Sequence, residues 1–261
     1  MAISVLATLQ LDSDVSLGVR SAPVYPVEIA IVPPDSVRLV SFIYIPAARG
    51  GVLPPLVILL HQAGMDHTAW EGFTSLLNES GFAVLALDQR GYGGSNFDYK
   101  MQLDRAQGTF VQGDVQRYPD DVRRMVAEAF RLYGAKIDTT KLAVIGASIG
   151  ANIGAIYAVS EPRVLFTGLV SPGIDYRGVN ITPAIRDLGK RPLLIAVADK
   201  DIYSMQSCNL LSDVTPHVLD LHVYKSYFHG NMLVDETPDL VNSLIDNLKR
   251  YLLSSTLTTR P

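Results

Sequence analysis

Five residues, Gly146-Ala147-Ser148-Ile149-Gly150, stand between a short apolar segment, Lys141-Leu142-Ala143-Val144-Ile145, and a stretch rich in small residues, Ala151-Asn152-Ile153-Gly154-Ala155-Ile156-Tyr157-Ala158. The first segment has the length and branching of a buried parallel strand, and the second suits a helix packed closely on a sheet. A G-x-S-x-G string in that setting reads as a sharp strand-to-helix turn that lifts a serine hydroxyl clear of the backbone. Gly146 and Gly150 lack the Cβ atoms that would collide with the neighbouring strand and helix. The turn then delivers Ser148 at the carboxyl end of the strand. Taken alone, such a string is common, so the rest of the chain has to decide between a nucleophile and an idle serine.

The rest of the chain supplies a frame for it. Val27–Val32 and Val37–Ile45 flank Pro33-Pro34-Asp35-Ser36 and read as two antiparallel strands around a turn. From Pro55 onward, apolar runs of strand length (Leu56–Leu60, Ala83–Leu87, Leu142–Ile145, Val164–Val170, Leu193–Val197, Leu219–Tyr224) alternate with helical patterns over Thr68–Glu79, Pro119–Leu132, Ile149–Val159 and Pro238–Leu253. That alternation predicts a mostly parallel central sheet with helices on both faces and antiparallel strands at its N-terminal end. In the second helix, Val122, Met125, Val126 and Phe130 share one face. Residues 1–26 lack periodicity and are expected to form an arm, leaving 27–261 as a single α/β domain.

A hydrophobic share of 48% against 18% charged residues is globular, and a formal charge of −4 without a basic run offers no footprint for nucleic acid. No apolar stretch approaches the roughly 20 residues of a membrane helix. The first eleven residues lack the basic start and small-residue cleavage site of a signal peptide. A soluble protein is expected, with the cytoplasm as the default compartment. The single cysteine, Cys208, excludes an internal disulfide framework. The sequence is silent on oligomeric state, and a homodimer stays open.

A serine needs an imidazole to take its proton, a carboxylate to orient that imidazole, and donors for the oxyanion. In such a sheet these groups belong at the carboxyl ends of strands. Of His61, His67, His217, His222 and His229, only His229 follows the last strand and heads a glycine-containing turn, so it is the expected base. His222 belongs inside a strand and His217 just before it. The acid is sought between serine and histidine: Asp201 is favoured over Asp199, which suits a turn, and over Asp175. The oxyanion donors are the N–H of Ile149, at the start of a helix, and that of Ala63 in the loop His61-Gln62-Ala63-Gly64, with Gln62 as its alternative. His61 is expected to brace loop backbone, and a His61/His67 metal pair lacks a third ligand at suitable spacing.

With these residues in view, the chain resembles an α/β-hydrolase of the Ser-His-Asp type, similar to dienelactone-hydrolase-like and small carboxylesterase families. Four motifs carry the resemblance: Leu59-Leu60-His61-Gln62-Ala63-Gly64, the strand end from Leu85 to Ser95, the Ser148 turn, and the pair Ala198-Asp199-Lys200-Asp201 and Phe228-His229-Gly230. It implies Ser148 as nucleophile, Asp201 as acid and His229 as base, with no cofactor or metal. Asp88 and Arg90 in the second motif are expected to brace loops. The chain departs from the pattern where Gln62 replaces the usual glycine, a side chain with fewer backbone options and an amide able to contact substrate. Dienelactone hydrolases proper use a cysteine nucleophile, and Cys208 is not at the turn.

Only about Gly173–Arg191 separates the sixth strand of the pattern from the strand carrying the acid, which predicts a minimal cap and an open site. Trp70, Tyr92, Tyr99, Tyr176 and Tyr203 fall on or near the loops of that face, with Gln62, Trp70 and Tyr203 the expected substrate contacts. The expected reaction is hydrolysis of small or polymer-borne carboxylic esters of short to medium acyl chain. Peptide, thioester or perhydrolysis chemistry on the same residues is the alternative within enzymes, and a non-catalytic binding protein the alternative outside them.

Overall fold

The computed structural model describes residues 24–104, 114–214 and 220–254. Most of the expected N-terminal arm and His217 lie outside the described residues. In chain order the elements are β1 (Val27–Ile31), β2 (Leu39–Tyr44), β3 (Pro55–Leu60), α1 (Glu71–Glu79), β4 (Ala83–Asp88), the short strands β5 (Phe97–Asp98) and β6 (Leu103–Asp104), α2 (Tyr118–Tyr133), β7 (Asp138–Ala147) and α3 (Ile149–Ser160). They continue with β8 (Val164–Val170), the short strands β9 (Asp175–Tyr176) and β10 (Val179–Asn180), α4 (Thr182–Leu188), β11 (Leu193–Ala198), α5 (Ile202–Val214), β12 (Asp220–Tyr224), α6 (Asn231–Asp235) and α7 (Pro238–Leu248).

Eight strands form one sheet in the order β1-β2-β4-β3-β7-β8-β11-β12. β2 pairs antiparallel with both β1 and β4, and every later pairing is parallel. The expected α/β architecture is therefore present, antiparallel strands included. Parallel strands covered on both faces read as continuous apolar runs, and β3 shows why. Leu56, Ile58 and Leu60 point into the layer holding α2 and α3, while Val57 and Leu59 point into the layer holding Trp70, Phe73 and α7. Successive side chains alternate between faces, so both sets must be apolar.

α2 buries Val122, Met125 and Val126 as its pattern predicts, but Phe130 is only partly buried and its ring lies under the Arg163 guanidinium. α5 had no expectation attached to it. Its mean pattern is weakly amphipathic, and its burial depends on packing beside β11 rather than on a clear apolar stripe. Between β8 and β11 the chain carries only the β9–β10 hairpin and α4, so the cap is minimal.

Candidate active site

β7 ends at Ala147 and α3 begins at Ile149, which leaves Ser148 alone to make the turn. Its φ of 56° and ψ of −123° are strained for a residue with a side chain. A Cβ on Gly146 would overlap the carbonyl of Gly150, and one on Gly150 would overlap the carbonyl oxygens of Leu60 and His61. The two glycines thus let the helix start press against its own strand and against the end of β3. Ser148 N–H donates to Val170 O at 2.8 Å, which fixes the turn to the neighbouring strand.

Two and three strands along the sheet from β7, Asp201 follows β11 and His229 follows β12. His229 Nδ1 lies 2.6 Å from Asp201 Oδ2, which orients the ring with Nδ1 as donor and leaves Nε2 as the free acceptor. Burial alone would raise the Asp201 pKa, but the His229 bond and charge, with bonds from Ser204, outweigh it and hold the carboxyl below its usual range. Asp199 is turned elsewhere: its Oδ1 accepts Ser226 N–H at 3.0 Å. Asp175 is exposed, and its Oδ1 accepts Gly178 N–H inside the β9–β10 turn.

The histidine loop is tied down at two points. Gly230 N–H donates to Ser171 Oγ at 3.0 Å, and Ser171 itself is buried with φ of 51° at the end of β8. Gln62 and Asn231 form a reciprocal clamp, Gln62 N–H donating to Asn231 Oδ1 (3.0 Å) and Asn231 N–H donating to Gln62 Oε1 (2.8 Å). Gly230 admits the Gln62 side chain, since a Cβ there would overlap its amide oxygen. The Gln62 N–H is thus engaged by Asn231, and Ala63 follows it, partly buried against the core. The Gln62 side chain joins the loop after β3 to the loop that carries His229.

A third fixture comes from Asn152, one turn into α3 and fully buried. Its Nδ2 donates to Gly173 O and Val179 O, both at 2.8 Å, and its Oδ1 accepts Gly173 N–H at 3.2 Å. The helix that starts at the serine thereby holds the β9–β10 hairpin against itself. Tyr176 sits on that hairpin. Its hydroxyl lies 3.3 Å from Ser171 O and 3.2 Å from Ser204 Oγ, Ser148 and Asp201 lie near enough to bear on its ionisation, and its ring meets His229 edge-on at 6.4 Å. Serine, histidine and aspartate are thus gathered around one tyrosine.

The other aromatic expectations divide. Trp70 is fully buried, packed near Phe73, so it is withdrawn from any substrate surface; a large apolar ring gains more under the sheet than at a loop. Tyr92 is also buried, edge-on to His61, and Tyr99 packs on Phe97 in the β5–β6 hairpin. Tyr203 is half-exposed beside Tyr176, its hydroxyl joined to both the N–H and the carbonyl of Asp175. His61 is buried and kept neutral by desolvation, accepting Gln89 N–H at Nε2 and donating from Nδ1 to Gln62 O. His222 pairs with Asp220 on β12. Cys208 is buried, and its thiol is pushed up to about 12, far from a reactive thiolate.

Asp66, His67 and Asp88 bring ligand-type atoms within 4.8 Å of one another. Several of these atoms already hold other bonds. Asp88 Oδ1 accepts the His67 backbone N–H and faces His67 Nδ1, both at 2.8 Å, Asp88 Oδ2 accepts Gly94 N–H, and Asp66 Oδ1 accepts from Thr68. Arg90 is buried in a fork with Asp121 and a pairing with Asp35, which makes it a brace.

Residues 54–191, just over half of the chain, match the family described as serine aminopeptidase S33 (Hydrolase_4). The chain belongs to this family of α/β-hydrolases. An esterase from Pyrococcus furiosus superposes with a TM-score of 0.64 at 19% identity, over 88% of this chain and 92% of the other. A dienelactone hydrolase from Anabaena variabilis gives 0.63 at 16%, over 87% and 96%. An acylaminoacyl peptidase from Pyrococcus horikoshii gives 0.72 at 13%, over 92% of this chain but only 44% of that longer one. No curated protein matches the chain in sequence. The family match establishes the hydrolase family, and the distant structures share the fold.

Asn152, Ser171, Ser204 and Asn231 escaped the sequence reading. Asn152 had one signal, as the lone amide in an otherwise apolar, small-residue helix. Nothing local marks the others, whose partners Gly230, Tyr176 and Gln62 are 59, 28 and 169 residues away.

Proposed function

We propose that this family member hydrolyses carboxylic esters of short to medium acyl chain through Ser148, His229 and Asp201. The observation that carries the reading is the 2.6 Å pairing of His229 Nδ1 with Asp201 beside the strained Ser148 turn. His229 takes the serine proton as Ser148 Oγ attacks the ester carbonyl. Asp201 holds the ring tautomer and balances the imidazolium charge. The N–H groups of Ile149 and Ala63 receive the oxyanion. His229 then returns the proton to the departing alcohol, and a water activated in the same way releases the acid. The minimal cap supports substrates of modest size, or an exposed ester on a bulky molecule, and the chain's own residues suffice for every proton transfer.

The test is hydrolysis of a p-nitrophenyl ester series from acetate to palmitate by wild type and Ser148→Ala. Activity should fall with chain length and drop on the order of 10⁶-fold in the variant. Full activity in Ser148→Ala would remove the nucleophile assignment. Amide hydrolysis is the second reading, favoured by the family's description and by the peptidase among the similar structures. An aminoacyl anilide panel turned over faster than the esters would reverse the order.

A further inference from the structure

The hairpin between β8 and β11 places one phenol at the reaction centre, and several independent features serve to hold it there. Asn152 pins both ends of the hairpin to the helix that begins at Ser148. Arg177 (φ 56°) and Gly178 (φ 85°) make a tight two-residue turn, the type that closes short hairpins. Gly173 leaves the space that the rings of Tyr176 and Tyr203 fill, since a Cβ there would lie 2.7 Å from Tyr176 and 2.6 Å from Tyr203. The Tyr203 hydroxyl clamps Asp175, the residue before Tyr176. Ser204, itself beside Asp201, sits 3.2 Å from the Tyr176 hydroxyl. This is more fixing than a solvent-facing loop aromatic needs.

Resting on the serine-hydrolase reading above, we propose that Tyr176 is a catalytic residue: its hydroxyl donates a hydrogen bond to Ser148 Oγ as negative charge builds there. His229 takes the serine proton in acylation and gives it back when Ser148 leaves the acyl-enzyme, while Tyr176 keeps its own proton throughout. The phenol O–H can turn about its C–O bond from Ser171 O toward Ser148 Oγ, and Ser204 O–H supplies a donor to the phenol oxygen in return. Desolvation raises the Tyr176 pKa, with Asp201 and Tyr203 adding to it against the lowering by Ser204 and Ser148, so the phenol stays protonated across the working range. The donor stands on the β8 side of the serine, whereas the oxyanion donors come from the β3 loop and the α3 start. It therefore acts on the nucleophile oxygen and leaves the carbonyl oxygen to Ile149 and Ala63.

The experiment pairs Tyr176→Phe with wild type in three readouts: labelling of Ser148 by a fluorophosphonate, steady-state ester hydrolysis across the chain-length series, and the melting temperature. Tyr176→Phe keeps the ring and its contacts with Tyr203 and His229. The expected result is a 10- to 100-fold loss, about the worth of a hydrogen bond to a charged atom. It should appear equally in kcat, kcat/KM and labelling rate, with KM, chain-length preference and melting temperature unchanged. A merely structural tyrosine would instead move KM, chain-length preference or melting temperature and leave the labelling rate alone. Labelled wild type with a full-speed Tyr176→Phe overturns the role of Tyr176 alone. A wild type that the probe leaves unlabelled overturns the serine-hydrolase reading, and this proposal with it.

Discussion

Two histidine–aspartate pairs lie at strand ends of the same sheet, with nearly equal separations: His229–Asp201 at 2.6 Å and His67–Asp88 at 2.8 Å. Their surroundings differ. The His229 side chain is about one-third exposed and its free face meets Tyr176 near Ser148, while Asp201 keeps capacity for Ser204 alone besides the ring. His67 is stacked on Phe42 with ring centroids 3.6 Å apart, and Asp88 spends its oxygens on backbone N–H groups of His67 and Gly94 as well as on the ring. On the proposed mechanism the same pair of residue types serves chemistry where a serine and open space are adjacent, and serves as a loop brace where the carboxylate already holds three hydrogen bonds. Pair geometry alone does not distinguish the two.

The largest contrast should come from removing each acid. Asp201→Asn leaves the ring in the wrong tautomer, and kcat on a short ester should fall on the order of 10⁴-fold with little change in melting temperature. Asp88→Asn should do the reverse. It breaks a buried carboxylate that holds three hydrogen bonds, so stability measured by urea unfolding should fall by about 3 kcal/mol while kcat changes less than several-fold. An Asp88→Asn enzyme with kcat collapsed and stability intact would dissolve the contrast.

Burial raises the Asp88 pKa, but the His67 bond and backbone N–H groups outweigh that and leave it lowered. Burial lowers the His67 pKa, but the Asp88 bond and charge outweigh that and leave it raised. The Asp88 contribution is present above its unfolded value of about 4 and is lost as pH falls through the lower folded value. The His67 contribution is complete below its unfolded value of about 6.5 and is lost as pH rises through the higher folded value. The melting-temperature difference between wild type and Asp88→Asn should therefore be widest near pH 5 and smaller at both pH 3 and pH 8. A difference flat across that range would mean that backbone bonds, not the ion pair, dominate the brace.

The smallest expected effect concerns what keeps the first pair in register. Asn231→Ala removes the acceptor of the Gln62 N–H and the side-chain donor to Ala69 O, leaves the backbone bond to Gln62 Oε1 in place, and should cost about 2 kcal/mol of stability. It should lower kcat several-fold without a matching change in KM, since it frees the His229 loop without touching the substrate side. A KM effect with unchanged kcat would assign the clamp to substrate binding instead.

Much of this was legible in the residues. The strands were readable because parallel strands buried on both faces must be apolar throughout, and the Ser148 turn because only glycines fit its two crowded positions. α5 was not, since its weakly patterned face is buried by its neighbours. Trp70 misled because position near an active-face loop does not say which way a side chain points, and burial of its ring decided that. Gln62 looked like a departure at the oxyanion loop. Its partner, Asn231, is 169 residues away, and the missing Cβ that accommodates it belongs to Gly230.

What the sequence by itself determined, then, was the order of strands and helices, the serine turn and the short list of histidines and acids, because periodicity and local sterics act over a few residues. Which acid meets which histidine, where Tyr176 lies and what Gln62 holds were decided only by the tertiary structure. Those are contacts between strand ends far apart in the chain, and hydrogen bonds of that reach leave no period in a sequence.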